Sequence, residues 1–434
     1  MNDQIQSSIP FVGLHAHSVA GSLFDALGYP NEHMDFCWQN GGDALALTDH
    51  GNANGLSHQV LHAKKMKEEG KNFKPIFGTE AYFIPSISEW REEYERALAD
   101  KKRAKTLGSE LSGATVEDEN SSKKIQSVLR RRRHLILLAQ NQVGLQNIFK
   151  LISESYKSEN FYRYPRMDYD LLAKYSEGVI AASACLGGVY SGNYWENREA
   201  GDKAVLEAMR ETTRKMMDIF GDRWYGELQW NNVPEQHTIN KFIIQMHKEF
   251  GIKLISTADS HYPSKDAWKD RELYRRLGWL GKAAPSYDST ELPVDVDEIG
   301  YELYPKNGDQ MWESYKKYSA ECGVEYDDGL VLESIKHTHE IAHQRIEDFL
   351  PDNTVRLPDF VVPAIYAMND DGETEGFDNS PRIFYNNYVK TLTSCTYAVP
   401  SQNCPAGTAP CGNAYEEEFL QFSHLTTIPS VSAS

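Results

Sequence analysis

The chain has 434 residues, 40% of them hydrophobic and 25% charged, and a formal net charge of −18. This is the composition of a soluble globular protein with two or three domains or one large barrel, and its charge is ill suited to gripping long nucleic acid unless bound cations reverse the local potential. Nothing approaches the about 18 apolar residues of a membrane span, and Met1–Ile5 lacks a secretory pattern, so the expected compartment is the cytoplasm, where six scattered cysteines read as thiols or metal ligands.

In chain order, the first apolar run, Phe11-Val12-Gly13-Leu14, ends in His15-Ala16-His17. A helical pattern over 31–40 precedes Ala44-Leu45-Ala46-Leu47-Thr48, which leads into Asp49-His50. After a helical pattern at 56–69, Pro75-Ile76-Phe77-Gly78-Thr79 leads into Glu80. Residues 86–133 interrupt the alternation; they are rich in charge, read as a loop or exposed helix, and end in Arg130-Arg131-Arg132-Arg133. The run 134–139 opens with His134, a helical pattern covers 142–153, and the run 178–184 leads into Cys185. Helical patterns at 201–219 and 235–249 flank the run 223–229, and the run 252–258 leads into Asp259-Ser260-His261. Strand–helix alternation predicts βα units around a parallel sheet, and seven runs are one short of an eight-fold barrel. The expected organisation is a barrel over 1–265 with an insertion at about 86–133, a helical appendage over 266–362 and a linker with a poorly structured tail over 363–434.

In a parallel barrel the strand ends meet at one rim, where catalytic groups gather. The candidates for that rim are His15, His17, Asp25, His50, Glu80, His134, Cys185, Asp259 and His261. Strand alternation puts His15 and His17 on one face, and Asp259 with His261 repeats the spacing. Imidazoles, carboxylates and one thiolate suit Zn²⁺, Mn²⁺ or Fe²⁺ better than Mg²⁺ or Ca²⁺. Nine ligands exceed what one ion takes, so two or three ions bridged by Glu80 is the economical expectation. Each residue also has a plain structural explanation. Asp49-His50-Gly51 is compatible with a turn, Cys185 with a buried thiol, and Asp25 with a helix cap. His134 opens its strand, which in a parallel sheet is the wrong end. Cys395, Cys404 and Cys411 are too irregularly spaced to mark another metal site, and Trp224, Trp230 and Trp268 read as core aromatics before base-stacking ones.

Six segments together resemble a known family: Leu14-His15-Ala16-His17-Ser18, Leu45-Ala46-Leu47-Thr48-Asp49-His50-Gly51-Asn52, Pro75-Ile76-Phe77-Gly78-Thr79-Glu80-Ala81-Tyr82, His134-Leu135-Ile136-Leu137-Leu138-Ala139, Ser183-Ala184-Cys185-Leu186-Gly187-Gly188 and Ala258-Asp259-Ser260-His261-Tyr262. They are similar to the polymerase and histidinol phosphatase (PHP) domain, in the version at the N-terminus of the bacterial DNA polymerase III alpha subunit, over residues 10 to 362. The resemblance implies an α/β fold, a distorted (β/α)7 TIM-like barrel, with three divalent metal ions (Zn²⁺, Mn²⁺ or Fe²⁺) at its C-terminal rim. It implies His15, His17, Glu80 and Asp259 for the first ion, Glu80, His134 and Cys185 for the second, and Asp25, His50 and His261 for the third.

The expected activity is that of a metal-dependent phosphoesterase acting on DNA, a 3′–5′ proofreading-type exonuclease associated with replication. His15, His17, Glu80, Asp259 and His261 form the expected catalytic set, and Arg130, Arg131, Arg132 and Arg133 the expected contacts to substrate phosphates. Asp370-Asp371 lacks a flanking strand and is not read as a polymerase site. Two alternatives are a small-molecule phosphatase of the histidinol phosphatase type and a non-catalytic replication module of a split polymerase. Expected partners are DNA, other replication proteins or a separate polymerase polypeptide, with no membrane.

Overall fold

In the computed structural model of the protein the described residues are 4–110, 128, 131–279 and 302–351. Eight strands form one sheet: β1 (Ala44–Leu47), β2 (Lys74–Phe83), β3 (Arg133–Ala139), β4 (Phe161–Tyr162), β5 (Tyr164–Met167), β6 (Val179–Ala182), β7 (Trp224–Gln229) and β8 (Lys253–Thr257). The barrel path runs β1-β2-β3-β6-β7-β8, with the short β4–β5 hairpin joined to the end of β2. Residues 11–17 close the ring. On one side His17 N–H donates to Ser260 O at 2.7 Å and Ser260 N–H to His15 O at 3.0 Å; on the other Ala46 N–H donates to Gly13 O at 2.8 Å. With that segment the barrel has the seven members expected from the seven apolar runs.

The strands are continuous apolar runs because both faces are covered. Ile136, Leu138, Ile180, Ala182, Ala44 and Ala46 turn into the barrel beside Leu14, Ile76 and Ile255. Their alternates Leu135, Leu137, Val179 and Ala181 pack outward against helices. The helices stand close to where the apolar periodicity places them: α1 (Pro30–Gln39), α2 (Leu56–Glu68), α4 (Gln142–Ser155), α7 (Asp202–Phe220) and α8 (Pro234–Phe250). Proline at the first position starts α1 and α8, where its missing N–H costs no hydrogen bond. Asn141 caps α4 by accepting from Gly144 N–H at 3.0 Å. Along α7 the buried residues Val205, Met209, Thr212, Met216 and Phe220 follow one helical stripe.

Along the barrel path the expected parallel sheet is corrected at one strand. β3 runs antiparallel to both neighbours, with Gly78 opposite Leu138 and Ile136 opposite Ala182. The reason lies in the 86–133 excursion, which begins with α3 (Ile87–Glu110). The chain leaves β2 at the ligand-bearing rim and re-enters β3 from that same rim. Two short helices lie between β5 and α7: α5 (Tyr169–Lys174) before β6, and α6 (Val189–Asn197) after it.

Among the described residues three α-helices follow β8: α9 (Trp268–Trp279), α10 (Gly308–Glu321) and α11 (Asp328–Glu340). The last two are part of the barrel's packing, although the sequence pattern set them apart at 266. Val331 and Ile335 of α11 share the outer core, and a π-helical turn, Ile341–Arg345, places Ile341 and Ala342 among the barrel interior residues. The expected segment 363–434, with its cysteines and Asp370-Asp371, lies outside the described residues.

Candidate metal centre

Seven of the nine candidate side chains come from residues at or just past one rim of the barrel, Asp25 comes from the loop after His17, and His134 is the second residue of β3. Because β3 is reversed, its beginning lies at the same rim as the ends of its neighbours, so the residue that looked misplaced in sequence reaches the centre. Single bridges extend the pairing beyond the strands, His50 to Glu80 and His134 to Gly188. Asp25 does not cap the following helix, whose N-cap is Tyr29. Asp259 sits at φ +50, a conformation uncommon outside glycine but tolerated by aspartate, immediately before Ser260, whose N–H and carbonyl make the two backbone bonds to residues 15 and 17.

Glu80 is the hub. Its Oε1 lies 3.3 Å from His15 Nε2, 3.1 Å from His134 Nδ1 and 3.8 Å from Cys185 Sγ. Its Oε2 lies 2.6 Å from His50 Nδ1 and 3.7 Å from His17 Nε2. Asp259 Oδ1 is 3.1 Å from His15 Nε2 and 3.2 Å from His17 Nε2. Asp25 Oδ2 is 3.0 Å from His50 Nε2 and 3.5 Å from His261 Nε2, and Cys185 Sγ is 3.5 Å from His134 Nδ1. All nine side chains therefore meet in one cluster, and the three groupings implied by the resemblance are each spatially contiguous.

A surrounding layer sets which imidazole nitrogens face inward. Glu227 Oε1 accepts from His15 Nδ1 at 2.7 Å, which leaves His15 Nε2 as the inward lone pair. His261 Nδ1 donates to the Asp259 carbonyl at 2.7 Å, with the same consequence for its Nε2. Ser22 Oγ lies 3.3 Å from His17 Nδ1 and donates to the buried Asp49 carboxylate at 2.9 Å, which also accepts from Ser18. Arg271, from α9, donates to Asp25 Oδ1 at 2.8 Å and to the Asp25 carbonyl at 2.6 Å. Glu227, Asp49, Ser22 and Arg271 were not singled out from the sequence as parts of the centre. The available signal for Glu227 was a carboxylate inside an apolar run, Trp224-Tyr225-Gly226-Glu227-Leu228.

The donor set fits divalent cations. Buried Glu80 Oε2, Asp259 Oδ1, Glu227 Oε2 and His50 Nδ1 have no hydrogen-bond partner among the described residues, although three of them lie within ion-pair distance of one another or of a neighbouring imidazole. His15 Nε2 and His17 Nε2 face each other at 3.1 Å. Converging lone pairs without hydrogen-bonding geometry are what shared ions require. The electrostatics agree. Burial pushes the His15 pKa down, but Asp259 and Glu227 hold it well above the imidazole range. His17, buried and facing His50 and His261, is lowered to about 3. Burial raises Glu80, yet His134 and His50 hold it well below the carboxylate range. Burial, then Glu80 and Asp259, push the Cys185 thiol well up. Ion binding would therefore displace protons from His15 and Cys185.

The arginine run divides. Arg133 is buried and donates to Asn193 at 2.7 Å and to Glu196, and Arg131 is paired with Glu93 at 2.6 Å. Both are paired within the fold; Arg130 lies outside the described residues. Arg132 stacks on Tyr164 at 4.1 Å and reaches over Tyr82 at 5.7 Å, and Tyr82 is itself parallel to the His50 ring at 6.0 Å. Trp224 and Trp230 are buried core residues.

A family model described as PHP domain matches residues 13–231. The DNA polymerase III subunit alpha of Aquifex aeolicus is 38% identical over 253 residues, 58% of this chain and 18% of that protein. That of Borreliella burgdorferi is 28% identical over 354 residues, 81% of this chain and 25% of that protein. The chain thus spans about a fifth to a quarter of the length of these curated relatives. Among solved structures, an amidohydrolase from Chromobacterium violaceum superposes with a TM-score of 0.30 at 14% identity, over 61% of this chain and 96% of its own, too loosely to carry weight.

Proposed function

Because this chain belongs to the PHP domain family, we propose that it is a metal-dependent phosphoesterase acting on DNA, removing nucleotides from a 3′ end in a replication setting. The observation that carries this reading is the convergence of four imidazoles and a thiol on the buried Glu80 carboxylate.

In this reading His15, His17, Glu80 and Asp259 hold one ion, Glu80, His134 and Cys185 a second, and Asp25, His50 and His261 a third, as Zn²⁺, Mn²⁺ or Fe²⁺. Such ions supply an acidified water nucleophile and neutralise charge on phosphoryl oxygens. The chain's own residues do the positioning. Glu227 fixes the His15 tautomer and Arg271 orients Asp25. Arg132 presents a planar guanidinium at the rim beside Tyr82, suited to a phosphate of the strand being shortened. Replication proteins are the expected company, given that the relatives are polymerase subunits.

The test is digestion of 5′-labelled single-stranded DNA by the chain loaded with Zn²⁺ or Mn²⁺. A ladder shortened from the 3′ end with release of mononucleotides is expected, and its loss in the His15→Ala, Glu80→Ala double variant. Full activity in that variant, or cleavage of sugar and amino-alcohol phosphates with DNA left intact, would overturn the proposal.

A further inference from the structure

A second group of metal-ligating side chains lies at the other end of the barrel. Asp43 precedes β1, whereas Asp49 and His50 follow it, and roughly 20 Å of extended chain separates the two positions. Across from Asp43 stand His339, in the last turn of α11, and His343, in the π-helical turn Ile341–Arg345. One ligand atom from each of the three lies within 4.8 Å of the other two. His343 Nε2 is 3.2 Å from Asp43 Oδ1, and the His339 and His343 rings are 4.3 Å apart.

The backbone under each residue is pinned. The Asp43 carbonyl accepts from Lys74 N–H at 2.8 Å. His337, two residues before His339, binds the Leu254 carbonyl at 2.8 Å, and Thr338 Oγ1 accepts from Val12 N–H at 3.1 Å. Ile341, Ala342 and Ile346 are buried among the strands, and Ile346 N–H donates to Ile341 O at 3.0 Å, the bond that makes the turn π-helical. Such turns cluster at functional sites, and this one presents residues 339 and 343 as neighbours on one face. An Asp–His ion pair alone explains His343 but leaves His339 unexplained. That ring is partly buried, makes no hydrogen bond among the described residues, and faces a second imidazole. The nearby Lys74 ammonium is occupied, donating to the Ile346 carbonyl at 2.7 Å.

We infer that Asp43, His339 and His343 form a separate binding site for a borderline divalent transition metal ion of the Zn²⁺ type, clipping the end of α11 to the start of the first parallel strand. Two imidazoles and one carboxylate are a three-residue set for such an ion, and the half-exposed Asp43 leaves its outer side to water. Its role would be structural, since it sits away from the nine-residue centre and does not depend on the activity proposed for that centre.

The test uses the full chain, stripped with chelator and equilibrated with Zn²⁺. Elemental analysis should give one ion fewer per chain for the His339→Ala, His343→Ala double variant than for the unaltered protein, with DNA cleavage the same in both. Independently of any substitution, Zn²⁺ should slow carbethoxylation of His339 and His343 at least tenfold, read by peptide mass spectrometry. An equal ion count in the two proteins would overturn the site, as would modification of both histidines at a rate indifferent to Zn²⁺. Neither result bears on the central cluster, whose failure would show instead as a chain without phosphoesterase activity.

Discussion

Glu227 offers the sharpest test of how the centre is built, because it contacts a candidate ligand without being one. Its Oε1 accepts from His15 Nδ1 at 2.7 Å, from Thr257 Oγ1 at 2.5 Å and from Gln229 Nε2 at 3.1 Å. Glu227→Gln keeps the volume and an oxygen able to receive all three donors, but removes the charge that makes His15 Nε2 a stronger donor to an ion. Loss of an outer carboxylate of this kind costs 10–100-fold in metal affinity, and with the oxygen retained the lower end applies, about tenfold or ~1.4 kcal/mol. Glu227→Ala strands three buried donors at about 1 kcal/mol or more each, so it should also lower unfolding stability by about 3 kcal/mol. The two variants separate electrostatics from packing. Competition titration of Zn²⁺ against a chromophoric chelator reads affinity, and urea unfolding reads stability. The reasoning fails if Glu227→Gln binds Zn²⁺ within twofold of the original protein, or if Glu227→Ala unfolds at the same urea midpoint.

Cys185 should be protonated when no ion is bound, because burial and the neighbouring Glu80 and Asp259 raise its pKa; Zn²⁺ affinity should therefore rise with pH, and Cys185→Ser should flatten that rise and weaken binding at least tenfold, as read by calorimetry in buffers of different ionisation enthalpy. His33 is buried, its Nε2 bound to the Leu27 carbonyl at 2.9 Å, and burial lowers its pKa to about 4. Between that value and the ordinary 6.5 the unfolded chain binds a proton that the folded chain does not, so stability falls as pH drops through this window, by up to about 3 kcal/mol. His33→Gln should make the fall shallower in urea melts between pH 7 and 4, and an identical slope would refute the assignment. A Cβ on Gly144 would lie 1.8 Å from the Gly178 carbonyl, so Gly144→Ala must push α4 off the strand it covers; a loss of about 2 kcal/mol or more is expected, and an unchanged melting temperature would contradict the close approach.

Seven of the nine central side chains, all but Asp25 and His134, were legible as candidates because β-structure is read locally. An apolar run followed at once by His, Asp, Glu or Cys marks a buried strand ending in a polar group, and alternation puts His15 beside His17 on one face. Helix positions were legible for the same local reason, with proline, Asn141 and the α7 stripe marking starts and faces. Four features were decided by long-range contacts. The reversal of β3 follows from where the 86–133 excursion re-enters the barrel, and nothing within His134–Ala139 signals strand direction. Glu227 serves His15 across 212 residues of chain, and Arg271 reaches Asp25 across 246. Arg131 and Arg133 turn away to Glu93, Asn193 and Glu196, which are distant in sequence. Asp43 meets His343 only because α11 and its π-turn are seated against the barrel strands. Side-chain alternation belongs to a strand alone, but strand direction and the partner of a buried charge belong to the whole barrel, since each is chosen by which surfaces must be covered together.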